Sequence, residues 1–274
     1  SVFGGELTVG GTLTIGDESR YEVVSHPVDG GSVRTRCAAL SVAELARITA
    51  HGRGYAFMEG PGAGFVSGRG GGGGYGGHGG RATGVNWGSG AAYGAPGWVG
   101  LQPGSGGAEQ SSSRAGFGGG LIWLEVVDRA IIDGLLSATG NRTPHSYGGG
   151  GSGGGIFLTA RRFEGGATGM VEVDGGDALY TASYGGGGGG GRIAVWHRTP
   201  MHLIETLART GIVQGGDLVA ESEAPQSFKG GSSAAGGRGW ADFQDPAPSV
   251  EEFSAPGSIN FLRIVPRGTI LLCR

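Results

Sequence analysis

Runs of glycine constrain the folding of this chain more than any other feature. They lie at residues 70–74, 76–80 (interrupted by His78), 148–155 (interrupted by Ser152) and 185–191. Glycine makes up 66 of the 274 residues, roughly three times its usual share of about 7 per cent. Because each glycine loses much backbone entropy when it is ordered, a folded state needs a compensating source of stability.

Apolar segments between the runs can provide that stability. Residues 121–127, 156–159 and 193–196 are rich in β-branched and aromatic side chains, which is typical of strands. We therefore interpret the chain as ordered and all-β.

Repetition in the sequence predicts how the strands are arranged. Residues 118–124, 153–159 and 189–195 superimpose, and their last glycines, Gly120, Gly155 and Gly191, are spaced 35 and 36 residues apart. A weaker repeat superimposes residues 135–141, 170–176 and 211–217. Each unit is too small to bury both faces of its strands, so it must stack on its neighbours.

Stacked units of this size predict a parallel β-helix, that is, a β-solenoid, forming a single domain over residues 1–274. Residues 1–39 supply the first strands and residues 40–197 the repeats, with a large loop at 81–115. Residues 198–274 supply C-terminal coils. Two stretches, 40–50 and 203–208, fit a helix as well as a strand; the strand is favoured because each leads into a glycine-marked turn.

The glycine runs themselves allow two interpretations. Extended glycine forms polyglycine-II-like helices with three residues per turn, and several of these can lie side by side and hydrogen-bond. The alternative is a flexible linker. Order is favoured, because Tyr75, Tyr147 and Tyr184 flank the runs in the manner of packing anchors.

Charge and cysteine content exclude some classes of function. The net charge of −3 gives no reason to expect a nucleic-acid partner, and no apolar run of 18 residues is present to span a membrane. Cys37 and Cys273 have no C-x-x-C spacing for zinc. They can form one disulfide, pair between subunits or remain buried thiols. The start at Ser1 fits a mature secreted protein or an excised fragment.

A series of motifs along residues 40–197 carries a family resemblance. The motifs are residues 50–55, 59–64, 72–80, 93–96, 151–154 and 190–195. Their order resembles glycine-rich, pectin-lyase-like β-helix regions of large surface and secreted proteins. The resemblance implies a parallel β-helix, an extracellular location, and adhesion or matrix structure as the common theme. It ends near Thr199.

The sequence contains few features that indicate catalysis. The G-x-S-x-G pattern at residues 150–154 needs a helix after it, and a helix cannot begin in a glycine run. No catalytic residues are predicted. Aspartates near turns are the remaining candidates, and turn chemistry explains them best, although Asp174 and Asp177 flank two glycines in a way that suits Ca²⁺. The full set is Asp128, Asp133, Asp174, Asp177 and Asp217.

Two functional hypotheses follow. In the first, the chain is a subunit of an extracellular filament or sheath, a homopolymer in which a spare strand at residues 2–15 adds to the next subunit. The assembly residues would be Val2, Phe3, Leu7 and Val9. In the second, it is a surface adhesin or carbohydrate-binding module that binds glycans through loop aromatics Trp87, Tyr93 and Trp98. A polysaccharide lyase or hydrolase is a third alternative.

Overall fold

A computed structural model describes residues 4–66, 69–82, 88–94, 101–109, 115–143, 147–178, 185–239 and 253–267. Thirteen strands and one helix are named within these residues. The elements, in chain order, are β1 (Glu6–Ile15), β2 (Arg20–Glu22), β3 (Arg34–Val42), β4 (Arg47–Thr49), β5 (Leu121–Ile132), β6 (Leu135–Ser137), β7 (Gly155–Ala160), β8 (Arg162–Glu164), β9 (Met170–Glu172), β10 (Arg192–His197), α1 (Met201–Thr210), β11 (Gly216–Glu221), β12 (Gly231–Ser233) and β13 (Ser258–Pro266).

The strands form two layered sheets. Sheet A has eight strands in the order β1-β3-β5-β7-β10-β13-β11, with β8 also paired to β5. Sheet B has five strands in the order β12-β9-β6-β4-β2. The pairings are parallel except between β11 and β13, which run antiparallel.

The predicted β-solenoid with polyglycine-II-like excursions is wrong as a fold class. The strands lie in two open, layered sheets that do not close into coils. The sheets also differ in strand length, since those of sheet A reach 12 residues whereas those of sheet B have three. The repeat reports the spacing of strands along the chain, but it contains no information on whether the sheets close at their sides.

A continuous apolar core fills the space between the sheets. It is built from the inward-facing residues of both, from Ile15 near the start of the chain to Phe261 near its end. Ile122, Ile156 and Ile193 form one buried row across β5, β7 and β10, because parallel pairing places them in register. This row holds the centre of sheet A.

Helix α1 covers part of the outer face of sheet A. Its Ile204 and Leu207 pack with Phe157 and Trp196 in a second apolar cluster. The prediction of a strand at residues 203–208 is therefore wrong. These residues lie in a helix, which is stabilised because its apolar stripe packs on the outer face of sheet A. The predicted strands in residues 40–50 are confirmed, in the end of β3 and in β4.

The register of the repeats agrees with the sequence alignment in part. Leu135 pairs with Met170, as aligned. Ile156 pairs with Ile122, one residue away from the alignment with Leu121, and a one-residue slip reverses the face on which every side chain lies. The third member of the weaker repeat is β12, not residues 211–217, where Gly211 ends α1.

Glycine-rich segments form a separate layer beside the sheets, which we call the glycine layer (residues 70–80, 88–90, 104–109, 115–120, 147–154 and 185–191). Its backbones hydrogen-bond between segments: Gly73 donates to the carbonyl of Gly150, Gly150 to that of Gly186, and Gly189 to that of Gly73. Segment 70–74 also bonds to residues 90 and 108. Bonding to more than two neighbours makes the layer a three-dimensional bundle, unlike a sheet.

Candidate functional sites

A cleft of about 420 Å³ opens on the outer face of sheet A, where β3, β5 and β7 meet the turn between β10 and α1. We call it the arginine cleft. Its charged lining consists of Arg36, Glu125, Arg161 and Arg198, and Val127 and Met201 contribute to its apolar surface. Arg36 and Glu125 are register partners on adjacent strands, so the sheet itself sets their separation.

Glu125 is a buried carboxylate at the side of this cleft, with 6% of its surface exposed. Its Oε2 lies 2.6 Å from Arg34 Nη2 and 3.0 Å from Arg36 Nε. Its Oε1 accepts a hydrogen bond of 3.0 Å from Trp123 Nε1. A buried charge is tolerated only when it is paired and hydrogen-bonded. The hydrogen bond to Glu125 also raises the pKa of Arg34.

The cations of the cleft differ in how they are compensated. Arg161 and Arg162 both donate to the carboxylate of Asp128, and these hydrogen bonds lower the pKa of Asp128. Arg198 makes no ion pair with any residue that the structure describes. Its backbone has a positive φ of 56°, and its amide donates to the carbonyl of Ala160. Arg198 is exposed, and no carboxylate among the described residues pairs with it.

The first turn of α1 adds to the positive potential. Pro200 and Met201, which begin the helix, line the cleft. The N-cap has no side-chain hydrogen bond and the first turn has no acidic residue. The positive end of the helix dipole and its first amides are therefore not neutralised by a capping side chain.

The second candidate site is the edge formed by β1. Within the described residues, β1 pairs with β3 on one side only. Its ten residues include one charge, that of Glu6. At the opposite edge, β11 carries Asp217 and Glu221, which are paired with Arg267 and Arg263. The β11 edge of sheet A thus carries charged side chains that oppose strand addition, whereas the β1 edge carries only Glu6.

The predicted assembly residues lie partly on this edge. Leu7, 40% exposed, and the half-buried Val9 are both in β1. Val2 and Phe3 lie outside the described residues. Strand β1 covers residues 6–15 of the spare strand predicted at residues 2–15. The use of this strand in assembly stays a prediction.

Of the predicted ligand-binding aromatics, Trp87 and Trp98 lie outside the described residues. Tyr93 packs against the glycine layer, where its ring centroid is 4.9 Å from that of Tyr75. The hydroxyl of Tyr93 donates to the carbonyl of Pro103 at 2.5 Å and accepts from Ser105 at 3.1 Å. Burial raises the pKa of Tyr93 well above its ordinary value. This phenol is engaged within the protein.

The two aspartates predicted for Ca²⁺ both join neighbouring segments. Asp174 Oδ1 accepts from the hydroxyl of Ser233 and the amide of Ala235 at 2.5 and 2.7 Å. Asp177 accepts from the amide of Arg238 and pairs with its guanidinium at 3.0 Å. No cluster of metal-binding side chains occurs in the part of the chain that the structure describes.

The remaining predicted aspartates also have protein partners. Asp128 binds two arginines in the cleft, as above. Asp133 accepts a hydrogen bond of 2.6 Å from the amide of Gly166, and Asp217 pairs with Arg267. Each supports a turn or an ion pair.

Two further sequence features have clear positions. Cys37 is a buried free thiol, and burial raises its pKa; Cys273 lies outside the described residues, so any pairing between the two stays a prediction. Ser152 of the G-x-S-x-G pattern is fully buried in the glycine layer, where Ser105 donates its amide to the serine hydroxyl. Strand β7 follows, not a helix.

The arginine cleft was not among the sites predicted from the sequence. Its signal was a single charge, Glu125, inside the apolar strand at residues 121–127, together with the alternating arginines Arg34 and Arg36. No helix in the described ranges is long and apolar enough to cross a membrane.

Comparisons of the chain with family models, with curated proteins and with solved structures found no match. The resemblance of residues 40–197 to pectin-lyase-like regions therefore stays a prediction from the sequence.

Proposed function

We propose that this chain is an extracellular structural protein that associates with further copies of itself through the edge of β1. The observation that carries the proposal is the length of that edge. Ten residues at about 3.3 Å each give roughly 33 Å of backbone. A long strand edge with few charges favours pairing with another strand.

The orientation of the backbone identifies where the added strand would bind. The carbonyl of Ile15 accepts a hydrogen bond from the amide of Ala43, so the backbone of Ile15 faces the β3 side. Because peptide groups alternate in direction along a strand, the amide of Thr14 faces outward. A partner strand would bind such outward amides and carbonyls.

Charge favours self-association over a charged partner. Glu6 is the only charged residue in β1 and lies at its first position. Two copies of β1 paired antiparallel about a twofold axis would place the two Glu6 side chains at opposite ends of the interface. No like charges would then face each other in its middle.

The extracellular part of the proposal is supported by the resemblance of residues 40–197. The structural part is supported by the glycine layer, whose dense backbone hydrogen bonding is suited to a rigid scaffold.

Sedimentation velocity over a range of protein concentrations tests the association. We expect the wild type to form dimers or larger species, and Thr14→Lys to shift the equilibrium to monomer, since an edge lysine opposes strand addition. Ala220→Lys, on the opposite edge strand β11, is the matched control and should associate like the wild type. Thr14→Pro, which removes the outward amide, provides a second test. A wild type that stays monomeric at high concentration would overturn the proposal, as would equal association of Thr14→Lys.

A further inference from the structure

We propose that the arginine cleft binds an organic ligand that carries one negative charge, a carboxylate or a sulfate ester, on an apolar body. This inference does not rest on association through β1.

Charges in and around the cleft compensate one another almost completely. Five arginines and four carboxylates lie in this network. Counted over the described residues, its net charge is therefore +1. The arginines are Arg34, Arg36, Arg161, Arg162 and Arg198, and the acids are Glu6, Glu125, Asp128 and Glu205.

Arg198, which lines the cavity, is the arginine of this network that no described carboxylate pairs. A single excess charge matches a monoanion better than a phosphate dianion. The guanidinium group is suited to the oxygens of a carboxylate or sulfate, which it can bind with two parallel hydrogen bonds. The start of α1, where Pro200 and Met201 line the cleft, has the same sign of potential.

The rest of the lining favours an apolar body on the ligand. Val127, Pro200 and Met201 contribute hydrocarbon surface beside the arginines. Val127 is 78% exposed, which is unusual for a β-branched side chain in the middle of a long strand. Contact with an apolar ligand would remove this surface from water. The volume of about 420 Å³ lies in the range of small-molecule pockets.

The position of Arg198 provides a variant that should preserve the fold. Its φ of 56° lies in the left-handed region, which strains a residue with a side chain and suits glycine. Arg198→Gly therefore removes the guanidinium group without straining the turn. The matched control is Arg47→Ala, which removes an exposed arginine on β4 of the other sheet.

Hexanoate and hexyl sulfate are the probes, measured by saturation-transfer NMR and by calorimetry at low ionic strength. We expect at least one of the two anions to bind the wild type. Its affinity should fall at least tenfold in Arg198→Gly and stay unchanged in Arg47→Ala. Acetate, which lacks the apolar body, and hexylamine, which has the opposite charge, should bind at least tenfold more weakly than the better anion. The relative affinities of the two anions identify the head group.

Three outcomes would overturn the assignment. The first is that neither anion binds the wild type, and the second is that Arg198→Gly retains full affinity. The third is that acetate or hexylamine binds as well as the better probe. Circular dichroism of each variant confirms that loss of binding does not reflect loss of folding.

Discussion

Gly72 and Gly187 approach so closely that a Cβ atom on residue 72 would lie 1.8 Å from the carbonyl oxygen of Gly187. That oxygen belongs to the backbone of the glycine layer, whose segments are hydrogen-bonded on several sides. It therefore cannot move aside as the end of a flexible side chain would. The contact explains why glycine is required at residue 72, where a side chain has no space.

Gly72→Ala should lower the free energy of unfolding by about 3 kcal/mol or more, because overpacking forces backbone segments apart. Gly10→Ala is the matched control, since no described atom lies within 4 Å of its added Cβ. An alanine in that strand should raise stability by about 0.5 kcal/mol. Urea denaturation followed by circular dichroism measures both, and similar midpoints for the two variants would contradict the close packing of the layer.

Glu125→Ala should lower the free energy of unfolding by about 3 kcal/mol. The change leaves Arg34 and Arg36 without their shared carboxylate, and removal of one partner from a buried ion pair is strongly destabilising. The expected loss lies at the low end of the range of about 3 to 5 kcal/mol for a broken buried ion pair, because the two arginines are partly exposed to water. Asp217→Ala, which removes an exposed ion pair with Arg267, should cost less than about 1 kcal/mol. Equal losses would mean that burial of Glu125 is unimportant.

Because His197 is buried and its pKa is lowered, we expect the stability of the fold to depend on pH. His197 is 5% exposed, and burial together with the charges of Arg198 and Arg263 lowers its pKa below 6.5, while Glu221 opposes the shift. Below pH 6.5 the unfolded chain binds a proton that the folded chain does not, so stability falls as the pH decreases towards the folded pKa. One such proton contributes at most about 1.4 kcal/mol per pH unit.

His197→Gln removes this proton from the balance. Chemical denaturation at pH 5.5 and 7.5 should show a smaller loss of stability at low pH than in the wild type. His51, whose pKa is also lowered, remains in both proteins. An unchanged difference between the two pH values would exclude His197 as a contributor.

Leu207→Ala should cost about 2 to 5 kcal/mol, as for other buried leucines. Leu207 is 2% exposed and packs in the cluster that joins α1 to sheet A. Ile212→Ala, just beyond the helix, is the control, because Ile212 is 64% exposed and should change stability by less than about 0.5 kcal/mol. Thermal unfolding compares the two. If the losses are alike, α1 does not depend on its packing against the sheet.

Local pattern was sufficient to locate several parts of the fold. The apolar runs that begin near Leu121, Ile156 and Ile193 became central strands, because β-branched and aromatic side chains pack well on a sheet covered on both faces. The alignment of Leu135 with Met170 gave the register of β6 and β9. The sequence could not reveal how far the sheets extend or that they stay open.

The glycine runs by themselves determined that some segments must lie very close together, since only glycine allows contacts such as that between Gly72 and Gly187. Tertiary structure alone decided which segments meet and that two sheets are layered beside them. It also placed Glu125 between Arg34 and Arg36, and brought Arg161 and Arg198 to the same cleft. Those partners are far apart in sequence, and their pairing depends on strand register and on the packing of α1, neither of which a local residue pattern contains.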